Sequence, residues 1–283
     1  MKKRVWSLFL ALALCLAMMP QTALAETSIK LDGVNAEDGS IKKSEGIART
    51  GPALTASDRS LNNQFYIVQG NITIDGDLTV DGTKVGGLVL AAGATLTING
   101  ALKHNGGNMF CIYGQTSSSG ETGQLIIKNS KDDGAAIRTT AASASSTPSL
   151  EICSGKVTIH SGRSQKLVEG VELYSTSKIH KGTLDGKAVS PAAWTSKSVI
   201  EGNTLVLAYC KHDQATYTPS GAAQHTKHCA DCGFAGRQAG NCNFDGAGGY
   251  EQGDTDGHYS KCVCGNKGSE KTAHTNTTMP TED

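Results

Sequence analysis

Pairs of apolar residues separated by one outward residue recur through residues 65–101, and no other feature of the sequence constrains the fold as strongly. Each pair has the two-residue period of a short strand with one buried face. Dipeptides such as Asp75-Gly76 and Asn99-Gly100 follow the strands and tolerate the positive φ that a tight turn needs. The pairs are Ile72 and Ile74, Leu78 and Val80, Leu88 and Leu90, and Leu96 and Ile98.

The pairs also repeat on a longer scale. The first pair recurs sixteen residues later as the third, and the second recurs eighteen residues later as the fourth. Stacked repeats of this kind are typical of a solenoid, in which inward aliphatic residues form a continuous column. A β-sandwich also has short strands and glycine-rich turns, but a hairpin signal of fixed two-residue length is missing here. We therefore predict an all-β fold with a parallel β-helix over residues 64–208.

Composition agrees with thin aliphatic layers, because aromatic residues are only 5% of the chain and 34 of its 283 residues are glycine. The polar residues 26–63 are predicted to be a leader or an N-terminal cap. Loops rich in small polar residues, at 116–122 and 141–149, are expected to project from the strands. After residue 208 the aliphatic pairs stop, so residues 209–283 are predicted to form a separate, small Cys/His-rich module.

Residues 1–25 have the pattern of a signal peptide. Three basic residues precede an apolar run over residues 5–19, and a small-residue cleavage site ends at Ala25. The run is shorter than the roughly 20 apolar residues of a membrane span. We expect export with cleavage before Glu26 and no membrane span in the mature chain. Cleavage would remove three basic residues from a chain with 26 basic and 26 acidic residues, so nucleic acid is not an expected partner.

Six of the nine cysteines lie between Cys210 and Cys264, and they recur in register with histidines. A histidine stands four residues before each closely spaced cysteine pair, and a glycine follows the pair. Two thiolates in a tight turn and two further soft ligands are what a tetrahedral structural zinc site requires. The sequence therefore predicts two zinc sites.

Two groupings of the ligands fit the spacing. In the first, the sites are His225, Cys229, Cys232 and Cys242, and then His258, Cys262, Cys264 and His274. In the second, the sites are Cys210, His225, Cys229 and Cys232, and then Cys242, His258, Cys262 and Cys264. The first grouping leaves Cys210 and His212 unused. A disulfide scaffold is the alternative for an exported chain, but disulfides give no reason for histidines to recur with the cysteines.

For the remaining cysteines and for four histidines, the sequence predicts only burial or exposure. Cys111 and Cys153 fall within predicted strands and are expected to be buried as small apolar residues. A disulfide between them would require their strands to be adjacent. Four histidines that neither grouping uses are expected to face solvent, namely His228 beside Cys229 and the lone His104, His160 and His180.

Carboxylates near a basic residue provide an enzymatic alternative, a polysaccharide lyase or hydrolase that uses Asp132, Asp133 and Arg138. However, Asp-Gly is also common turn chemistry, in which the carboxylate bonds its own backbone. A Ser/His/Asp order, a phosphate-binding loop and a His-Glu-x-x-His motif are all missing from the sequence. We therefore expect a protein without enzymatic activity.

Two strand motifs and one Cys/His unit carry a resemblance to a known group of proteins. They are residues 66–74, Gly93-Ala94-Thr95-Leu96-Thr97-Ile98 and the unit His225-x-x-x-Cys229-x-x-Cys232-Gly233. The chain resembles exported, adhesin-like surface proteins of Gram-positive anaerobes, which combine a right-handed parallel β-helix of the pectin-lyase-like type with short Cys/His repeats. The likeness does not extend to pectin-lyase-like active sites, because a His-Gly pair is missing and Asp132-Asp133 lacks the cysteine-flanked setting of polygalacturonases.

The resemblance implies an adhesin-like, secreted or cell-surface protein. We expect it to bind a glycan or a host surface through the loops of its β-helix. A structural stalk that sets the distance from the cell is a further alternative. The chain stops at Asp283 without a sorting motif or an apolar tail, so we expect either free secretion or a fragment of a longer protein.

Overall fold

The computed structural model describes residues 26–81, 84–129, 133–140, 147–245, 248–254 and 257–273. The predicted signal peptide, Asp132 and His274 lie outside the described residues. Most of the described chain is in strands, with two 3₁₀ helices at Thr176–Lys178 and Pro191–Ala193, so the all-β prediction is confirmed. Within these ranges, every helix is too short to cross a membrane.

The described residues begin with four short strands that form two antiparallel pairs. These are β1 (Thr27–Lys30), β2 (Gly33–Val34), β3 (Ile41–Lys42) and β4 (Ala48–Gly51). Strand β1 pairs with β4, and β2 pairs with β3.

The middle of the chain forms three larger sheets. Their strands, in chain order, are β5 (Ser60–Leu61), β6 (Phe65–Val68), β7 (Asn71–Ile74), β8 (Leu78–Asp81), β9 (Gly86–Leu90), β10 (Thr95–Ile98), β11 (Leu102–Asn105), β12 (Met109–Gly114), β13 (Gln124–Lys128), β14 (Ile137–Thr139), β15 (Ser149–Ile152), β16 (Lys156–His160), β17 (Lys166–Glu169), β18 (Glu172–Ser175), β19 (His180–Leu184), β20 (Lys187–Val189), β21 (Val199–Glu201) and β22 (Thr204–Tyr209).

From β5 to β18, consecutive strands belong to different sheets, and each pairs in parallel with the third strand before or after it. The next two strands, β19 and β20, lie in the same sheet and pair antiparallel with each other. The seven-stranded sheet has the order β20-β19-β22-β16-β13-β10-β7, the six-stranded sheet β21-β17-β14-β11-β8-β5 and the five-stranded sheet β18-β15-β12-β9-β6. The pairing becomes antiparallel where β21 meets β17 and where β22 meets β16 and β19.

The spacing of the repeat differs from the sequence prediction. Ile72 pairs with Leu96 and Leu78 pairs with Leu102, so equivalent positions are 24 residues apart in both cases. The predicted spacings of sixteen and eighteen residues were wrong, because one repeat contains three strands, one for each sheet. The apolar pairs of neighbouring strands are similar enough to be mistaken for copies of one another.

Inward residues of paired strands form continuous buried columns. One column in the seven-stranded sheet consists of Ile74, Ile98, Ile127 and Ile159, all fully buried. Stacking branched aliphatic side chains at the same register removes their apolar surface from water in every repeat. The core of the molecule therefore lies between the three sheets.

Two histidines that we expected to face solvent are buried. His104 pairs with Val80 and has 1% of its surface exposed, because it continues an inward column of the six-stranded sheet. His180 has 0% of its surface exposed. Its ring lies between the Ser175 hydroxyl, 2.8 Å from Nδ1, and the Gly155 carbonyl, 3.1 Å from Nε2. The expectation failed for both residues because a lone histidine in a strand gives no local signal of which face of the sheet it occupies.

The N-terminal strands lie against the outer face of the five-stranded sheet. Ile29 and Leu31 are buried there against Ile67 and Val89. Beyond β2, the chain reaches the C-terminal region, where the backbone N–H of Arg237 donates to the carbonyl of Ala36. The N-terminal segment therefore contacts both the parallel sheets and the C-terminal region.

The C-terminal region forms two small antiparallel sheets. The first contains β23 (Ala215–Gly221), β24 (Gln224–Cys229), β25 (Phe234–Ala235) and β26 (Gly240–Asn241). The second contains β27 (Tyr250–Asp254), β28 (Gly257–Lys261) and β29 (Lys267–Ala273). These sheets and the turns that follow their central strands place the cysteines and histidines.

Candidate metal centres

The first candidate centre consists of Cys210, His212, Cys229 and Cys232. Cys210 follows β22, Cys229 ends β24, and Cys232 lies in the turn before β25. The three sulfur atoms lie within 4.8 Å of one another, and all three cysteines are buried. The Sγ atoms of Cys210 and Cys229 are 3.7 Å apart, and His212 Nε2 lies 3.7 Å from Cys232 Sγ.

The second candidate centre consists of His225, Cys242, Cys262 and Cys264, whose ligand atoms all lie within 4.8 Å of one another. His225 Nδ1 is 3.3 Å from Cys262 Sγ and 3.7 Å from Cys242 Sγ. The Sγ atoms of Cys242 and Cys264 are 3.6 Å apart. Cys262 and Cys264 both belong to this centre, although only one residue separates them in the sequence.

These separations fit a tetrahedral ion. With bonds of about 2.3 Å to sulfur and about 2.0 Å to nitrogen, tetrahedral zinc places two sulfurs about 3.8 Å apart and a sulfur and a nitrogen about 3.6 Å apart. A disulfide would bring its two sulfurs to about 2.05 Å. The second centre therefore has the donor types and spacings of a closed, four-ligand metal site. In the first centre the three thiols have these spacings, and His212, beside Cys232, is the candidate for the fourth ligand.

The structure groups the ligands differently from both sequence groupings. His225 lies with the cysteines of the following unit and not with those of its own. His212, which the first grouping left unused, lies beside Cys232 of the first centre. His258 belongs to neither centre, and its ring packs edge-on against Tyr250 at 4.3 Å. Seven of the nine predicted ligands therefore lie in these two groups, His258 lies outside them, and His274 is outside the described residues.

The two units differ at the position two residues after their first cysteine. Cys210-Lys211-His212 begins the first unit, and Cys242-Asn243-Phe244 begins the second. Phenylalanine offers no metal ligand, so the second centre lacks the histidine that the first obtains locally. His225 supplies it from β24 of the preceding sheet.

The first centre is enclosed by apolar residues from both ends of the chain. The rings of His212 and Phe234 lie 4.9 Å apart. Val34 and Ile41 of the N-terminal segment pack on the same cluster. Gly39 has φ of 74°, and a Cβ at this position would overlap the His212 ring, so only glycine allows the segment to approach this closely.

Asn266 supports the second centre. Its side-chain amide donates to the carbonyls of Gly221 and Gln224, at 2.7 and 3.1 Å, and lies 3.4 Å from Cys242 Sγ. Hydrogen bonds of this kind orient a ligand and stabilise a thiolate. Our sequence analysis missed Asn266, since an asparagine in a polar segment has no distinguishing pattern.

The thiols of the two centres differ in how readily they ionise. Burial opposes ionisation of Cys262, but hydrogen bonds from the Cys264 backbone and the Cys242 thiol outweigh it and lower the pKa of Cys262 to about 7. Burial raises the pKa of Cys242 to about 11 and also raises the pKa of Cys210 and Cys232. Metals bind the thiolate, so a metal that binds the thiols whose pKa is raised must displace their protons.

Of the three residues in the enzymatic alternative, the structure describes Asp133 and Arg138. Asp133 is exposed, and Arg138 donates to the Ala135 carbonyl at 2.9 Å. Arg138 lies close enough to Asp77 to lower the pKa of that carboxyl. Burial opposes ionisation of Asp77, but its ion pair with Lys103, at 2.5 Å, and the nearby Arg138 hold its pKa below the ordinary value. Asp132 lies outside the described residues.

Comparison of the chain with protein-family models, with curated proteins and with solved structures finds no match.

Proposed function

We propose that this protein is an exported, non-enzymatic binding protein of the cell surface or its surroundings. In this proposal, the three parallel-rich sheets form a right-handed β-helix, and two zinc ions hold the C-terminal region together. The pairing of every third strand supports the β-helix, and the resemblance described above supports the location. The two groups of four soft ligands support zinc.

The observation that carries the binding role is the outer face of the seven-stranded sheet. Because side chains alternate along a strand, the residues between the buried aliphatic positions point away from the core. They form two rows in register, Asn71, Thr95, Gln124 and Lys156, and Thr73, Thr97, Ile126 and Thr158. Within the first row, the Gln124 amide donates to the Thr95 hydroxyl at 3.0 Å.

Such a face suits a glycan. Hydroxyl and amide groups at the regular strand spacing of about 4.8 Å can donate to and accept from successive sugar hydroxyls. The methyl groups of threonine and the side chain of Ile126 provide flat apolar area between them. The ligand that this chemistry favours is a neutral or weakly acidic glycan lying across the strands.

In this proposal, the C-terminal region serves as a spacer or interaction module. Four protein ligands per centre leave no coordination position for a substrate, which is the arrangement of structural zinc. The second centre joins β24 and the turn after β28, and these belong to different sheets. Its metal would therefore fix the two sheets relative to each other.

Binding of the full chain to a diverse glycan panel tests the proposed role. We expect selective binding, and we expect it to be lost when Thr73→Val and Thr97→Val remove two hydroxyls from the face while keeping its shape. Thr79→Val, on the outer side of the six-stranded sheet, is the matched control and should bind as the unchanged chain does. The proposal would be contradicted if no glycan of the panel bound, or if the control variant lost as much binding as the double variant.

A further inference from the structure

A third group of soft ligands lies on the five-stranded sheet, apart from both centres in the C-terminal region. The Sγ atoms of Cys111 and Cys153 and the carboxylate of Glu151 lie within 4.8 Å of one another. Cys111 is in β12, directly opposite Glu151 in β15. Cys153 comes two residues after Glu151 and shares its face, because Ile152 between them points into the core. Both cysteines are buried, with 2% and 8% of their surface exposed.

The register of the strands favours a bridging ion over a disulfide. Paired positions on neighbouring strands are about 4.8 Å apart and two residues along a strand add about 6.6 Å, so the Cα atoms of diagonal neighbours such as Cys111 and Cys153 are about 8 Å apart. Disulfides usually join Cα atoms separated by about 4.4–6.8 Å. An ion with bonds of about 2.3 Å to each sulfur spans the longer distance.

Neighbouring groups orient the ligands. The Thr176 hydroxyl donates to the Glu151 carboxylate and lies 3.3 Å from Cys153 Sγ. Cys111 Sγ lies 4.0 Å from the second carboxylate oxygen of Glu151. A polar group that contacts two of three ligands is typical of the surroundings of a metal site.

A cavity of about 550 Å³ opens beside this cluster, and Glu151 and Thr176 line both. Lys178 and Arg237 also line the cavity and make it positive, while Phe234 and Val34 provide apolar wall. Three protein ligands beside an open cavity differ from the four-ligand centres of the C-terminal region. This is the arrangement of zinc sites that keep one coordination position for an exogenous ligand.

We propose that Cys111, Glu151 and Cys153 bind a third thiophilic divalent cation of the zinc type, with its fourth coordination position open to this cavity. Binding displaces the protons of the two thiols and leaves a site with one net negative charge from its ligands and ion. The cationic side chains of the cavity favour a small carboxylate as the exogenous ligand.

Zinc content of the full chain, loaded without air after reduction, tests the site. The double variant Cys111→Ser and Cys153→Ser should bind one equivalent fewer than the unchanged chain, and Glu151→Gln should weaken that equivalent at least about tenfold. The matched control, Cys210→Ser and Cys229→Ser, should instead lose an equivalent from the C-terminal region. Equal zinc content in the first double variant and the unchanged chain would overturn the proposal.

Alkylation followed by peptide mapping tests the same site without any substitution, so a folding defect cannot imitate the result. We expect zinc to protect Cys111 and Cys153 and a chelator to make both reactive. Recovery of a Cys111–Cys153 disulfide from the native, unreduced protein would overturn the proposal, and so would alkylation that is indifferent to zinc.

Cobalt in place of zinc tests the open position. Acetate should change the visible absorption of the cobalt-loaded chain, and it should leave the Cys111→Ser, Cys153→Ser variant unchanged, since the remaining centres have four protein ligands. The same change in the double variant, or no change in the unchanged chain, would contradict an open position.

Discussion

His225 Nδ1 lies 3.3 Å from Cys262 Sγ, although the two residues are 37 positions apart and belong to different sheets. His225 is in β24, whereas Cys262 directly follows β28. A histidine of the first Cys/His unit is therefore a candidate ligand in the metal centre of the second unit. A metal at this centre would cross-link the two small sheets, which share no strand pairing among the residues that the structure describes.

The choice of histidine in the second centre is directly testable. His225→Ala should lower the metal content of the full chain by one equivalent, because it removes one of four ligands. His258→Ala is the matched control, since this histidine occupies the same position of the other unit but packs on Tyr250. Metal analysis after desalting provides the comparison. If His258→Ala loses the equivalent while His225→Ala keeps it, the assignment of ligands is wrong.

Asn266 should affect affinity without being a ligand. Asn266→Ala removes the hydrogen bonds to Gly221, Gln224 and Cys242, and we expect zinc to bind the second centre about 10–100-fold more weakly. Competition with a chromophoric chelator measures the change. Asn243→Ala, next to Cys242 but bonded to Asp245, should have little effect. Equal weakening in both variants would mean that Asn266 has no specific role.

His180 should make the free energy of unfolding depend on pH. Burial lowers its pKa from 6.5 to about 4, so the unfolded chain binds its proton at a higher pH than the folded chain does. The stability that neutral His180 provides is complete above about pH 6.5 and is lost as the pH falls toward 4, by roughly 3 kcal/mol at most.

Chemical denaturation between pH 7.5 and 4 measures this contribution as a difference between two proteins. In His180→Gln, an amide can still donate to the Gly155 carbonyl but cannot titrate, so its free energy of unfolding should fall less steeply with acid. Carboxylates shared by both proteins cancel in the comparison. Parallel pH profiles for the two proteins would show that His180 is not the responsible group.

The buried columns should dominate the stability of the parallel sheets. Leu96 is fully buried between Ile72 and Leu125, so Leu96→Ala should lower the free energy of unfolding by about 2–5 kcal/mol. Thr97 is adjacent but points outward, so Thr97→Ala should change the free energy of unfolding by about 0.5 kcal/mol or less. Urea unfolding of both variants measures the contrast. Similar losses at the two positions would contradict the register of the sheet.

Local patterns were enough to predict which residues of the strands are buried. Leu78, Val80, Leu88, Leu90, Leu96 and Ile98 were expected to point inward, and all are fully buried. The length of the repeat was not predictable in the same way. Whether Ile72 pairs with Leu88 or with Leu96 depends on which strands share a sheet, and the alternation of side chains is identical in both cases.

The ligand types of the C-terminal region were also readable from the sequence, but their partners were not. Neither grouping used His212, because Phe244 stands at the matching position of the second unit and the histidine therefore does not recur. His258 recurred in register with His225 and was therefore assigned the same role. Which histidine reaches which cysteines depends on how the two sheets pack, and spacing along the chain contains no information on that packing.

Gly39 approaches His212 so closely that the first centre is enclosed by a loop from the opposite end of the chain. The carbonyl of Gly39 also accepts the Tyr209 hydroxyl across 170 residues. The ribosome makes the loop around Gly39 early and His212 late. All of the parallel strands are therefore synthesised before the loop can contact His212. The enclosure of the first centre can therefore form only after residues 40–211 have been made, so an enclosed first centre marks a chain whose parallel strands are all present.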